Sequence, residues 1–268
     1  DISYTRLVLT FLGIFILYII RPKSELYKYK IDLKNKFQKL IVVIILIVQA
    51  FSFFYVSNAN EFIKNLENYS NHTQYKRLAH SFANGKVYIE PNPSDELKKL
   101  DNPYDTGYRN KVAKEKGELF EWDTAYYNGK YYVYFGVVPV LVSYLPYHIL
   151  TGNDLPNQSI VFIVSVIAMF GLFLLLKEII KRYFPNTSFL LFMILYVFMS
   201  FGSGLLLILG YPTLYNVPIS FALMFTYFGL YFFLSSIKED KISKLRIFFG
   251  SLCMALVAGC RPQLLLFS

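Results

Sequence analysis

Phe135-Gly-Val-Val-Pro-Val-Leu-Val-Ser-Tyr-Leu-Pro-Tyr-His-Ile-Leu150 is the stretch on which the topology of this chain turns. It is apolar, only 16 residues long, and interrupted by Pro139 and Pro146. A membrane-spanning helix needs about 20 apolar residues. Charge on the flanking segments decides its role. Segment 21–39 holds Arg21, Lys23, Lys28, Lys30, Lys34, Lys36 and Lys39 against Glu25 and Asp32. Segment 177–186 holds Lys177, Lys181 and Arg182 against Glu178, and segment 237–246 holds Lys238, Lys241, Lys244 and Arg246 against Glu239 and Asp240. Cytoplasmic loops carry an excess of Lys and Arg. A span at 135–150 would put Lys177, Lys181 and Arg182 on the wrong side. Laid in the outer interface, with Tyr144, Tyr147 and His148 at headgroup level, it leaves all three basic loops cytoplasmic.

Apolar runs extend outward from this point in both directions. Leu40–Val56, Ser159–Leu176, Phe189–Leu209, Val217–Leu234 and Ile247–Phe267 read as spans, and Leu7–Ile20 as a short sixth. The chain is 55% hydrophobic and 19% aromatic, more apolar surface than a soluble domain of 268 residues needs. It starts with Asp and stops inside an apolar run at Ser268, as a fragment of a longer membrane protein would. The expected fold is mainly α, a polytopic transmembrane helix bundle with a large extracytoplasmic loop after an early span. Residues 1–57 hold two N-terminal helices and a basic loop, 58–156 the extracytoplasmic loop, and 157–268 four further spans.

The net charge of +9 does not point to nucleic acid. The loop 57–156 is nearly neutral, with eleven basic and twelve acidic residues, so the excess sits on the three short loops. Membrane orientation accounts for it. Cys253 and Cys260 lie seven residues apart in one apolar run, about 10 Å along a helix, too far for a disulfide.

Inside the loop, Phe62, Ile63, Leu66, Tyr69 and then Tyr75, Leu78, Ala79, Phe82 recur at helical spacing, with Asn84-Gly85 as a stop. Residues 91–118 read as loop. Glu121–Phe135 places Asn128-Gly129 between two aromatic runs, which predicts a hairpin with a type I′ turn.

Three stretches of this loop carry a resemblance. Gln74-Tyr-Lys-Arg-Leu-Ala-His-Ser-Phe-Ala-Asn-Gly-Lys-Val-Tyr88, Asn128-Gly-Lys-Tyr-Tyr-Val-Tyr-Phe-Gly-Val-Val-Pro139 and Leu145-Pro-Tyr-His-Ile-Leu-Thr-Gly152 resemble the first outer loop of GT-C membrane glycosyltransferases. The family 39 type, with the protein O-mannosyltransferases and the aminoarabinose transferase, is the nearest. Arg261-Pro262 is similar to that family's basic residue at the outer break of a late span. The resemblance covers about 58–156. It implies an inverting transferase that moves a sugar from a polyprenyl-phosphate donor to an acceptor protein, lipid or envelope glycan. It also implies a multi-pass protein of a bacterial plasma (inner) membrane, working on its outer face. The family places an acid just ahead of its Tyr-x-x-Leu-Ala helix as catalytic base. Here that position reads Ser70-Asn-His-Thr-Gln74, and the nearest acid is Glu67. Either another loop acid is the base, or the chain is a non-catalytic relative in carrier handling or assembly.

Such a transfer needs a carboxylate for the acceptor, cations for the leaving phosphate and apolar surface for the lipid. Asp105, exposed by an Asn-Pro-Tyr-Asp turn, and Asp123, beside the single tryptophan, are the catalytic candidates. Trp122 and Tyr104 offer aromatic faces for a sugar, with Glu121 beside them. Arg109, Lys130 and Arg261 are the cationic candidates. Arg109 can equally pair with Asp105. Arg261 lies about 22 Å along a helix starting at Arg246, where a cation in an apolar run is costly and marks function by default. His72, His80 and His148 lack ligand spacing, so no histidine metal site is expected. A divalent cation held by loop carboxylates and phosphate stays open.

Overall fold

The computed structural model describes residues 4–21, 23–58, 73–90, 92–117, 120–238 and 241–267. The helix expected over Phe62–Tyr69, together with Glu67, 70–72 and His72, lies outside them. The described chain is mainly helical. Its helices are α1 (Tyr4–Ile20), α2 (Glu25–Lys28), α3 (Lys36–Asn58), α4 (Gln74–Ala83), α5 (Asp95–Lys98), α6 (Thr106–Lys116), α7 (Val140–Thr151), α8 (Asn157–Tyr183), α9 (Phe189–Gly202), α10 (Leu205–Gly210), α11 (Asn216–Ser236) and α12 (Lys244–Cys260). Two short hairpins pair β1 (Ala125–Tyr127) with β2 (Lys130–Tyr132) and β3 (Ile237–Lys238) with β4 (Lys241–Ile242).

Among the described residues, three helices are long and apolar enough to cross a membrane: α3, α8 and α11. That is fewer than the five or six spans read from hydropathy. The run Phe189–Leu209 is broken at Ser203-Gly204, where Gly204 is left-handed (φ 82°), into a helix of 14 residues and one of 6. The run ending at Phe267 is helical only to Cys260. Pro262 excludes the helical region for Arg261, which is extended (φ −146°, ψ 121°), and a 3-10 turn follows. α1 is helical over 17 residues.

The helices pack through small residues. α11 sits between α8 and α12. A Cβ at Gly171 would meet the Phe228 ring at 2.9 Å, one at Gly229 the Met254 side chain at 2.9 Å, and one at Gly250 the Phe233 ring at 2.7 Å. Close helix contact through small residues is the usual device where lipid removes the hydrophobic drive. α3 joins α9 by a buried hydrogen bond from Gln49 to Ser200. The apolar outer faces of α1 and α3 stay exposed, as lipid-facing surface does.

The three basic segments gather at one end. Phe189 N donates to Tyr29 O at 2.8 Å, joining segment 21–39 to the turn after α8. Arg182 donates to Leu234 O and Ile237 O, and Arg246 to Ser235 O, joining the ends of α8 and α11 to the start of α12. At the opposite, loop end, Gln158 at the start of α8 donates to Ser57 O at the end of α3.

The polar segment folds over that loop end. α4 runs as expected and buries Tyr75, Leu78 and Ala79; Gly85 (φ 69°) follows its last turn. The hairpin is realised over 125–132, with Asn128 (φ 45°) and Gly129 (φ 72°) supplying the two positive φ values of a type I′ turn. The expectation of loop over 91–118 is corrected. Ser94 caps α5, Asp105 caps α6 by accepting Tyr108 N at 3.0 Å, and left-handed Gly117 ends α6. Those caps build helices that lack an apolar stripe. α7 occupies most of the decisive stretch. Its first turn, Val140–Tyr144, is widened into a π-turn ahead of Pro146, which has no N–H to donate. Tyr144 Oη donates to Asn157 Oδ1 at 2.7 Å, so α7 stays at the loop end.

One contact fixes the polar segment to the helices. A Cβ at Gly136 would lie 2.1 Å from Gly259 O and 2.3 Å from Cys260 O, and one at Gly259 would lie 2.5 Å from a Val138 methyl. Tyr75 Oη donates to Gly136 O at 3.3 Å and ties α4 to the same point. Gly136→Ala is expected to cost about 1–3 kcal/mol by overpacking against carbonyl oxygens that cannot give way. Gly13→Ala, where a Cβ meets nothing within 4 Å, is the control. Thermal unfolding in detergent reads both; equal midpoints would contradict the contact.

Candidate functional site

The hairpin and its flanks send consecutive side chains in different directions. Glu121 is buried and ion-paired to Arg77 of α4 at 2.6 Å, and Arg77 Nε also donates to Glu90 O. Trp122 faces the other way, its ring 5.7 Å from the Arg109 guanidinium. Asp123 holds a left-handed backbone (φ 55°), uncommon for a residue with a side chain and a mark of local strain often found at sites.

Asp123 faces two phenols from different parts of the chain. Tyr134 follows β2, and Tyr215 stands at the start of α11. Burial, then the Asp123 charge, raises the Tyr134 hydroxyl above its ordinary value, against the nearby Arg261 cation. Burial and a hydrogen bond to Asp123 push Tyr215 up to about 12, again opposed by Arg261. Both phenols are therefore neutral donors at physiological pH. Beneath them Phe135 stacks on Tyr134 (centroids 4.4 Å) and meets Tyr215 edge-on at 5.3 Å. The Arg261 guanidinium sits 5.7 Å from the Phe135 ring. Its Nε is buried without a hydrogen-bond partner, and it makes no ion pair among the described residues. The result is a carboxylate and a guanidinium near two phenol donors around the Phe135 ring, at the loop end of the helices. Such a set can orient a hydroxyl through Asp123 and bind an anion through Arg261.

The other candidates lie elsewhere. Asp105 is the exposed cap of α6. Arg109 is buried at 4% exposure, donates from Nε to Pro103 O at 2.6 Å, and is boxed by the rings of Tyr104, Phe120 and Trp122 at 5.6–5.8 Å. It makes no side-chain pair with Asp105 among the described residues. Tyr104 Oη accepts from Tyr126 N at 2.6 Å and braces β1. Lys130 rests over the Tyr88 ring at 3.7 Å. In sequence, Tyr134 belongs to an aromatic cluster that suits a hairpin, and Tyr215, just outside span 217–234, suits an interface anchor or a cleft-facing residue. Nothing in their spacing links them to Asp123, and only the packing at Gly136 does. Sequence spacing also points to no histidine site, whereas His80 and His148 stack with centroids 4.1 Å apart.

Comparison with protein-family profiles, with curated proteins and with solved structures finds no match to this chain.

Asp123→Asn is expected to bring the Tyr215 hydroxyl down toward its ordinary value of 10.0, and Arg261→Gln to raise it further. The folded chain keeps Tyr215 protonated up to about 12, while the unfolded chain ionises it near 10.0. Its contribution to stability is therefore full below pH 10 and is lost as pH rises toward 12. Difference titration of tyrosinate absorbance against Tyr215→Phe measures the shifts; no movement in either variant would separate these groups.

Proposed function

We propose that the chain is a membrane glycosyltransferase of the GT-C type, a polytopic helix bundle that transfers sugar from a polyprenyl-phosphate donor at the loop end of its helices. The reading rests on one observation: Tyr134, Tyr215 and the Arg261 guanidinium, far apart in sequence, all meet the Phe135 ring, and the Asp123 charge lies close enough to raise both phenols. In this reading Asp123 takes the acceptor proton or aligns the acceptor hydroxyl. Arg261 holds the leaving phosphate, and the phenols fix the carboxylate. The exposed apolar faces of the helices seat the polyprenyl chain. Gathering of the basic segments at the opposite end supports an outward-facing loop end in a plasma membrane. The acceptor is a protein, a lipid or an envelope glycan. Asp105 is engaged as a helix cap, so Asp123 takes the role of base in this reading.

Membranes carrying the full-length protein are assayed with a panel of radiolabelled polyprenyl-phosphate sugars. Asp123→Asn is expected to lower transfer by about 10²–10⁴-fold, the range of a lost general base. Arg261→Gln is expected to lose about 10²–10³-fold, as for a removed anion donor. Asp105→Asn keeps the wild-type rate, because Asn caps a helix as well as Asp. No transfer from any donor by inserted, folded protein would instead favour a non-catalytic relative in carrier handling or assembly.

A further inference from the structure

Three ligand-bearing side chains that are scattered in the sequence meet at the loop end. His80 lies in the last turn of α4, His148 on α7, and Asp154 just beyond left-handed Gly152, which ends α7 and turns the chain back. α4 and α7 pack ring against ring at two successive levels. Tyr75 meets Tyr144 at 5.7 Å, and five and four residues further on His80 stacks on His148 at 4.1 Å with 25° between the planes. His80 Nε2 lies 2.6 Å from Asp154 Oδ1. One ligand atom from each of the three residues lies within 4.8 Å of the others. His148 Nδ1 is buried with no hydrogen-bond partner among the described residues. A buried ring nitrogen left unpaired calls for a partner from outside the chain.

We propose that His80, His148 and Asp154 bind a divalent transition metal of the zinc class, with water completing the coordination. Two imidazoles and one carboxylate are a borderline-soft set that suits zinc; magnesium and calcium take oxygen ligands. Metal–ligand bonds of about 2.0–2.2 Å put tetrahedral ligand atoms roughly 3.3 Å apart. His80 Nε2 and Asp154 Oδ1, at 2.6 Å, must part slightly, and all three ligand atoms already lie within 4.8 Å, so a small swing of side chains reaches that spacing; those of His80 and Asp154 are 46% and 49% exposed. The packed helices hold the backbones in place while the side chains adjust. The bound ion clips α4, α7 and the segment leading into α8 into one unit. It replaces a half-exposed His–Asp pair, which by itself holds little. This inference does not depend on glycosyl transfer.

The purified full chain in detergent is titrated with Zn²⁺ by calorimetry, with Mg²⁺ as the comparison ion. X-ray absorption at the zinc edge identifies the ligands. The expected result is one zinc per chain with two imidazoles and oxygen in its shell, and no Mg²⁺ binding. The unfolding midpoint should rise with Zn²⁺ and fall back with EDTA. His80→Gln and Asp154→Asn should each weaken binding by about 100-fold or more, since even outer-shell partners of metal ligands cost 10–100-fold. Both side chains are half-exposed, so these variants carry the test if His148→Gln does not fold. Folded wild type that takes up no zinc, or variants that bind it equally well, would overturn the site.

Discussion

The contact of Gly136 with the carbonyls of Gly259 and Cys260 is the constraint on which the arrangement of the loop end depends. No side chain fits between these backbones. Because Pro262 forces Arg261 out of the helix, the helix ends where Gly136 meets it, and the guanidinium is left beside Phe135. Tyr75 adds a hydrogen bond to Gly136 O and brings α4 to the same place. Asp123, Tyr134 and Tyr215 then converge as a consequence of backbone approach.

Three arginines of this region show how neighbours decide a cation's use. Arg77 is consumed by Glu121 and the Glu90 carbonyl. Arg109 is enclosed by three rings and a proline carbonyl, a setting in which a desolvated cation–π contact is worth about 2 kcal/mol. Both hold the polar segment together. Arg261 has a ring on one face and no carboxylate partner among the described residues, so its charge is open to an incoming anion.

Much of this was legible in the sequence because the signals were local. Asn128-Gly129 fixes its hairpin, Tyr75 to Phe82 fixes α4, and the charge pattern anticipates that the basic segments share an end. Pro139 and Pro146 anticipate that 135–150 is too short and too interrupted to be a span. Hydropathy reads Phe189–Leu209 and Ile247–Phe267 as unbroken because it is blind to a left-handed Gly204 and to the restriction Pro262 places on Arg261. The helices at 95–98 and 106–116 were missed because caps, not an apolar stripe, define them. Asp105 and Asp123 looked alike as loop acids. What separates them is tertiary: one caps a helix, and the other is held in a strained conformation facing two phenols. The pairing of His80 with His148 is equally invisible, since it arises from two helices packed side by side.

The central claim is that the segment after β2 is clamped on the end of α12. Val138→Cys with Gly259→Cys, in a chain with Cys253 and Cys260 replaced by Ala, tests it directly. The Val138 Cβ lies 3.7 Å from where a Gly259 Cβ would be, inside the window for a disulfide. Mild oxidation of the folded protein in its membrane should give a near-complete intramolecular crosslink. Persistent free thiols at both positions would contradict the clamp, and with it the convergence of Asp123 and Arg261.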